Sequence, residues 1–141
     1  MPYREKIVWL SLFAIAVAFI PYFTYVAMTP AASEGLPNVR QLILYAVAAG
    51  VQMTILLAGR VWLAARSPED AKIPADERDQ AISRNAIRVS YFVLMAGTIL
   101  VGVIMPFTHS GWQIVNAALF MIVLAEVVNY SIAAISYRRQ A

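Results

Sequence analysis

Residues 76–107 have the sequence DERDQAISRNAIRVSYFVLMAGTILVGVIMPF, and this stretch decides the fold. Its second part, residues 89–107, has no charged side chain and approaches the length of about 20 residues that a helix needs to cross the hydrocarbon core of a bilayer. Its first part is charged, and neither Gly nor Pro interrupts the stretch before Gly97. The pattern therefore predicts one helix over residues 76–107, of which residues 89–107 lie in the membrane.

Three further apolar stretches predict membrane spans over about residues 7–28, 39–65 and 112–136. The first of them is longer than the roughly 7–15 residues of a signal-peptide core, which favours a membrane span. The composition agrees, because 61% of the residues are apolar and 13% are charged, against about 45–50% and about 25% in soluble domains. We expect residues 1–141 to form a single transmembrane domain, an all-α integral membrane four-helix bundle.

The basic residues lie almost entirely on one side of the predicted membrane. Lys and Arg in short loops remain in the cytoplasm. Of the 11 basic residues, Arg40 alone lies on the far side when the N terminus is placed in the cytoplasm. We therefore expect cytoplasmic N and C termini, a third helix extended into the cytoplasm, and a multi-pass protein of the cell inner (cytoplasmic) membrane. The basic residues on the cytoplasmic side are Arg4, Lys6, Arg60, Arg66, Lys72, Arg78, Arg84, Arg88, Arg138 and Arg139.

The charged beginning of the third helix forms a surface that we call the collar. Within it Arg84 and Arg88 are spaced four residues apart and share one helix face with Asp76. In one interpretation Arg84 and Arg88 contact anionic lipid headgroups, while the acids complement the helix dipole. In the other, the acids recognise a basic partner or form a salt bridge to a second copy. The collar consists of Asp76, Glu77, Arg78, Asp79, Arg84 and Arg88.

Several short motifs resemble a known group of proteins. They are residues 76–82 (DERDQAI), Arg88, residues 90–91 (SY) at the membrane entrance, residues 3–6 (YREK) and Trp9. Together they are similar to a widespread, uncharacterised family of small four-helix membrane proteins from bacteria and archaea, with an Asp-Glu-Arg-Asp motif before the third transmembrane helix. The resemblance covers most of the chain. It implies the same four-span layout and the same charged entrance to the third helix. The family is uncharacterised, so the resemblance does not indicate any particular activity.

Glu126 is the only acidic or basic residue well inside a predicted span. At about 1.5 Å per residue it lies about 21 Å from Trp112 and about 18 Å from Arg138, near the middle of the membrane. Asn129 is three residues away, and Gln52 and Asn116 are the other polar side chains expected to reach it. Two interpretations remain open. Glu126 carries a proton or holds a cationic substrate, or it hydrogen-bonds these neighbours and fixes the helix packing.

The sequence argues against most enzymatic chemistry. It has no Cys and a single His, which excludes disulfides, thiolate catalysis and a two-histidine metal site within the chain. It contains neither a phosphate-binding glycine loop nor a nucleophile-elbow motif. We expect no enzymatic activity, no metal and no cofactor. The basic residues follow the membrane edge, so we expect contact with anionic lipid and none with nucleic acid.

Three functions remain. The favoured one is a small membrane interaction or accessory protein, either a homodimer or a regulatory subunit of a larger membrane system, with the collar as its cytoplasmic contact. The second is a small dimeric proton-coupled transporter or channel that uses Glu126. It resembles the small multidrug-resistance exporters in size and span count, although those proteins carry their glutamate in the first helix. The third is a lipid- or quinone-binding membrane protein.

Overall fold

A computed structural model describes residues 2–28, 39–109 and 111–140, and it confirms the all-α fold. It has four helices that are long and apolar enough to span a membrane. The described ranges contain no strand. The helices are α1 (Tyr3–Met28), α2 (Val39–Arg66), the short α3 (Pro68–Lys72), α4 (Glu77–Ile99) and α5 (Trp112–Arg139).

The start of α4 is fixed by a pair of aspartates. The Asp79 N–H donates to Asp76 Oδ1 at 2.7 Å, and the Asp76 N–H donates to Asp79 Oδ2 at 3.3 Å. This reciprocal capping box satisfies backbone donors that a helix N terminus otherwise leaves unpaired. The third membrane helix therefore begins in the charged stretch, well before Val89, as the sequence predicts.

The far end of the same helix changes its winding around Pro106. A proline lacks the N–H that would bond the carbonyl four residues earlier, here that of Gly102, and its ring crowds that carbonyl. The helix widens to a π-helix over Leu100–Ile104 and then tightens to a 3₁₀ turn over Met105–Phe107. The His109 N–H closes this end by donating to the Met105 carbonyl at 2.7 Å.

The two helices at the centre are α1 and α5, which pack on each other. The other two spanning helices have different main neighbours. Helix α2 packs mainly on α1, and α4 packs mainly on α5. Neighbouring helices run antiparallel, so the start of α1 and α4 and the end of α2 and α5 lie together. We call this the charged end of the molecule. It contains residues 3–9, 60–88 and 137–140.

Aromatic rings connect α1 to both of its neighbours. The rings of Tyr22 and Tyr45 meet edge to face with centroids 5.5 Å apart, which joins α1 to α2. The rings of Phe23 and Phe120 meet at 90° with centroids 5.2 Å apart, which joins α1 to α5. Such pairs contribute about 0.5–1.5 kcal/mol beyond the area that they bury. The most continuous core therefore lies along α1.

Two glycines let the helices approach closely. A Cβ atom added at Gly97 of α4 would lie 2.8 Å from Met121 Sδ of α5, and one added at Gly59 of α2 would lie 2.5 Å from the Leu10 side chain of α1. Small residues at such contacts allow van der Waals packing, which is a main source of helix association in lipid. Gly50 of α2 differs, because a Cβ atom there would meet nothing within 4 Å.

Replacement of Gly97 by leucine should destabilise the protein, because α4 and α5 must separate to admit the side chain. We expect Gly97→Leu to lower the free energy of unfolding by about 1–3 kcal/mol. Gly50→Leu is the matched control, with open space and a gain in helix propensity, and it should be neutral or slightly stabilising. Thermal unfolding of both variants in detergent, followed by circular dichroism, measures the difference. Equal losses in the two variants would contradict the close contact at Gly97.

Candidate functional site

The Asp79 carboxylate joins three helices at the charged end. Asp79 Oδ2 lies 3.2 Å from Arg4 Nε of α1, and Asp79 Oδ1 accepts a hydrogen bond from the Tyr137 hydroxyl of α5 at 2.7 Å. The side chain of Asp79 is 18% exposed and that of Arg4 is 41% exposed, so the ion pair is partly shielded from water. It should contribute more than a fully exposed pair, which is typically worth 1 kcal/mol or less.

Arg78, next to Asp79, binds the end of α5. Its Nε donates to Gln140 Oε1 at 2.8 Å, and its guanidinium donates to the Tyr137 carbonyl at 3.4 Å. The guanidinium also lies 5.9 Å from the centre of the Tyr137 ring. A cation bonded to the last carbonyls of a helix is favourable, because these groups have no partner within the helix and carry its negative dipole end. Together with Asp76 in the capping box, Arg78 and Asp79 bring to three the collar residues that are engaged within the chain.

A second link between α1 and α5 is made by Glu5, which is 3% exposed. Glu5 Oε1 lies 3.3 Å from Arg138 Nε and accepts a hydrogen bond from Trp9 Nε1 at 3.4 Å. Only the Glu5 side of this pair is buried, because the Arg138 side chain is 63% exposed, and loss of Arg138 would leave the buried Glu5 carboxylate without its cation. One signal for this link is present in the sequence, namely the four-residue spacing that puts Glu5 and Trp9 on one helix face. Arg138 lies too far along the chain to be paired with Glu5 by spacing.

The rest of the collar faces outward. Glu77, Arg84 and Arg88 are exposed, and none of them forms an ion pair with another described residue. This orientation follows from the packing of α4, which buries Ile82 and Ala86 in a core cluster with α5. Within the described ranges the only hydrogen bond of the Arg84 side chain runs from its Nε to the Gln80 carbonyl at 3.4 Å. The collar is therefore divided into an engaged part and an open part.

A cavity of about 520 Å³ opens beside the Arg4 and Asp79 pair, between α1, α4 and α5. Its polar lining includes Arg84 from the collar and Asn129 from the predicted intramembrane set. Arg84 and Asn129, which the sequence analysis assigned to two separate candidate sites, therefore line the same cavity. A second cavity, of about 760 Å³, lies along α1 and α5 and is lined almost entirely by apolar residues such as Phe19 and Phe120.

The structure does not bring the four predicted intramembrane polar residues together. Asn116 lies near the opposite end of α5, where its Oδ1 accepts from the Tyr22 hydroxyl at 3.2 Å and its Nδ2 donates to Gln41 Oε1 at 2.9 Å. It is about 15 Å along the helix from Glu126. Gln52 is half-buried on α2, which packs mainly on α1. The hydrogen bonds expected between Glu126 and Gln52, Asn116 or Asn129 are absent from the described part of the chain.

Glu126 itself is exposed, and it has no hydrogen bond or ion pair with any described residue. The adjacent Ala125 is buried, so α5 is rotated to place its one intramembrane carboxyl on the outside. Among the described residues no three His, Asp or Glu side chains come close enough to hold a metal ion. Glu126 is therefore an exposed carboxyl on the apolar part of α5 without a polar contact to any other described residue.

Removal of the Tyr137 hydroxyl should weaken the charged end, because it deletes the hydrogen bond to the Asp79 carboxylate. We expect Tyr137→Phe to lower the free energy of unfolding by about 1.5–3 kcal/mol, the range for a hydrogen bond to a charged group. Tyr91→Phe is the control, since Tyr91 is exposed and its hydroxyl has no hydrogen bond among the described residues. Unfolding midpoints in detergent provide the comparison. Identical midpoints for the two variants would show that this bond does not stabilise the fold.

Comparison with known proteins adds the family of the chain. No curated protein and no solved structure matches it. A family described as predicted membrane protein (DUF2178) matches residues 4–141, a range that begins at Arg4 and includes the collar, Glu126 and Tyr137. The match agrees with the resemblance to small membrane proteins of uncharacterised function and with the four spanning helices. The chain therefore belongs to the DUF2178 family of membrane proteins.

Proposed function

We propose that this protein is a small interaction protein of the inner (cytoplasmic) membrane that acts as a homodimer, its subunits meeting along the face of α5 that carries Glu126. The observation that carries this proposal is the exposed Glu126 carboxyl, which has no partner in the described part of the chain. An ionisable group that faces lipid near the middle of a bilayer is costly. A second subunit removes this cost by covering the carboxyl and hydrogen-bonding it.

The neighbours of Glu126 favour a contact between two α5 helices. Ile122 is 47% exposed and Val115 is 38% exposed, and they precede Glu126 by one turn and by three turns. Residues at these spacings lie on one helix face. Two subunits inserted in the same direction are related by a two-fold axis along the membrane normal, which places identical faces together. Near such an axis a protonated Glu126 donates a hydrogen bond to the carboxyl of the second copy.

The charged end supports a cytoplasmic orientation and an accessory role. Lys and Arg in short loops favour the cytoplasmic side, and this end contains Arg4, Arg78 and Arg138. Since Arg78 and Asp79 are engaged within the chain, Glu77, Arg84 and Arg88 form the part of the collar that is open to a partner or to lipid headgroups. We propose no enzymatic step at this end.

A second candidate is proton-coupled transport through the same dimer. It is favoured by the position of Asn129, which lies three residues after Glu126 and lines the 520 Å³ cavity at the charged end. A proton that enters this cavity from the cytoplasm reaches Asn129, which lies about 4.5 Å along α5 from the position of Glu126. Transport requires a carboxyl at this position, whereas dimerisation requires only a side chain that forms hydrogen bonds. The two functions are therefore separable by substitution.

Substitution of Glu126 by leucine should weaken the dimer, while substitution by glutamine should preserve it, because glutamine still forms hydrogen bonds across the interface. We expect Glu126→Leu to raise the dimer dissociation constant about tenfold. Resonance energy transfer between labelled subunits in liposomes, over a series of protein-to-lipid ratios, measures this constant. A wild-type protein that remains monomeric at every ratio would overturn the proposal.

Substitution of two isoleucines that are similarly exposed on opposite sides of α5 tests where the dimer interface lies. Ile122 and Ile135 are both about half exposed, but Ile135 is nine residues from Glu126 and lies on the opposite side of α5. Ile122→Ala should weaken dimerisation severalfold in the same assay, because it removes packing atoms next to Glu126. Ile135→Ala should leave the dissociation constant unchanged. Equal effects at the two positions would place the contact elsewhere.

If the protein transports protons, the Glu126 variants should rank differently in proton flux than they do in dimerisation. Proteoliposomes that contain pyranine, placed in a pH gradient with ethidium as a lipophilic cation, should show proton flux for wild type and for Glu126→Asp, which keeps a carboxyl. Glu126→Gln should abolish this flux while its dimer remains intact. Wild-type flux in Glu126→Gln would remove Glu126 from any proton pathway without affecting the dimer proposal.

A further inference from the structure

We infer that the 520 Å³ cavity between α1, α4 and α5 binds a phosphate-bearing anion, with Arg84 as its principal cation. The inference is independent of dimerisation, because the cavity is formed within one subunit. Its lining combines charged groups, neutral hydrogen-bonding side chains and an apolar wall. The volume lies within the range of about 300–1,000 Å³ that is typical of sites for small ligands.

The charges around the cavity favour an anion. The charged residues of the lining are Arg4, Arg84 and Asp79, which leaves one net positive charge. Arg4 is bound by Asp79 and also donates to the Ile73 carbonyl at 3.2 Å. Arg84 has no carboxylate partner among the described residues, and its terminal nitrogens form no hydrogen bond with them. A guanidinium with free donors matches the geometry of phosphate oxygens.

Neutral side chains supply further hydrogen bonds for such a group. Ser83, Asn129 and Tyr130 line the same cavity. Their hydroxyl and amide groups donate to anionic oxygens without adding charge. A site that combines one guanidinium with several neutral donors holds a singly charged phosphodiester or a small phosphate ester.

The depth and the apolar wall connect the site with the membrane surface. Arg84 precedes the apolar stretch that begins at Val89 by five residues, so it lies about 7.5 Å outside it along α4. This level is the one expected for lipid headgroups, and from there the cavity extends inward to Asn129. Ile7, Val8 and Ile82 complete the lining on the apolar side. Basic cavities of this kind between spanning helices are typical sites for anionic headgroups. A phospholipid and a soluble phosphate share the phosphate chemistry, and the experiment below distinguishes them.

Arg88 provides the matched control. It is an exposed arginine on the same helix, one turn after Arg84, and it does not line the cavity. Replacing either residue by glutamine removes the same charge, at positions about 6 Å apart along α4. A general attraction between a basic surface and anionic lipid is weakened equally by the two changes, whereas a defined site depends on Arg84 alone.

The test is native mass spectrometry of the full-length protein in detergent, titrated with dioleoylphosphatidylglycerol or with zwitterionic dioleoylphosphatidylcholine. Bound lipid is counted per subunit, so oligomeric state does not affect the readout. We expect wild type to prefer phosphatidylglycerol, Arg84→Gln to lose about tenfold in apparent affinity, and Arg88→Gln to match wild type. Ser83→Phe, which fills the exposed rim of the cavity without changing charge, should also reduce binding.

Addition of inorganic phosphate identifies the source of the anion. Displacement of phosphatidylglycerol by inorganic phosphate supports the site and assigns it to a soluble phosphate. Retention of the lipid supports the site and assigns it to a phospholipid. Equal affinities in Arg84→Gln and Arg88→Gln, or no preference for phosphatidylglycerol over phosphatidylcholine in wild type, would overturn the inference.

Discussion

The Asp79 carboxylate, held between the Arg4 guanidinium and the Tyr137 hydroxyl, is the interaction on which the arrangement of the helices most depends. In lipid the hydrophobic effect gives little preference for one helix neighbour over another, so packing and polar contacts must select it. The contacts that Asp79 of α4 makes with Arg4 and Tyr137 favour α1 and α5 as the neighbours of α4. The same residue closes the capping box with Asp76, so the start of α4 and its place beside the other helices are fixed together.

Polar contacts also close the opposite end of the molecule, where Asn116 joins Tyr22 to Gln41 and thereby connects α5 to α1 and α2. Between the two ends the helices are held by rings and by close contacts at small residues such as Gly97. This division leaves Glu126 as the exception. It is a carboxyl in the apolar middle that the described part of the subunit does not satisfy, which is why the proposed function is based on a second copy.

Much of the fold follows from the sequence, because the bounds of the helices depend on local signals. The apolar runs predict the four spans, and the charged stretch from Asp76, which has no Gly or Pro before Gly97, predicts the early start of α4. The rotation of each helix is harder to predict. The spanning helices are apolar on every side, so no stripe of polar residues indicates which face is inside. For this reason Glu126 and Asn116 were expected to share a site, whereas Asn116 pairs with Tyr22 and Gln41. Arg84 and Asn129 line one cavity only because α4 and α5 pack against each other. Their positions in the sequence do not reveal this packing.

The pairing of Glu5 with Arg138 has a consequence for how the molecule is made. Chains are synthesised from the N terminus, and early segments fold before late ones are complete. Glu5 is synthesised with α1, but the guanidinium that pairs with it belongs to the end of α5, which is synthesised after the other three spanning helices. Until α5 is in place, Glu5 therefore lacks its contact with this guanidinium. A chain cut before Arg138 lacks this contact, so its Glu5 carboxylate is left without the ion pair that links α1 to α5.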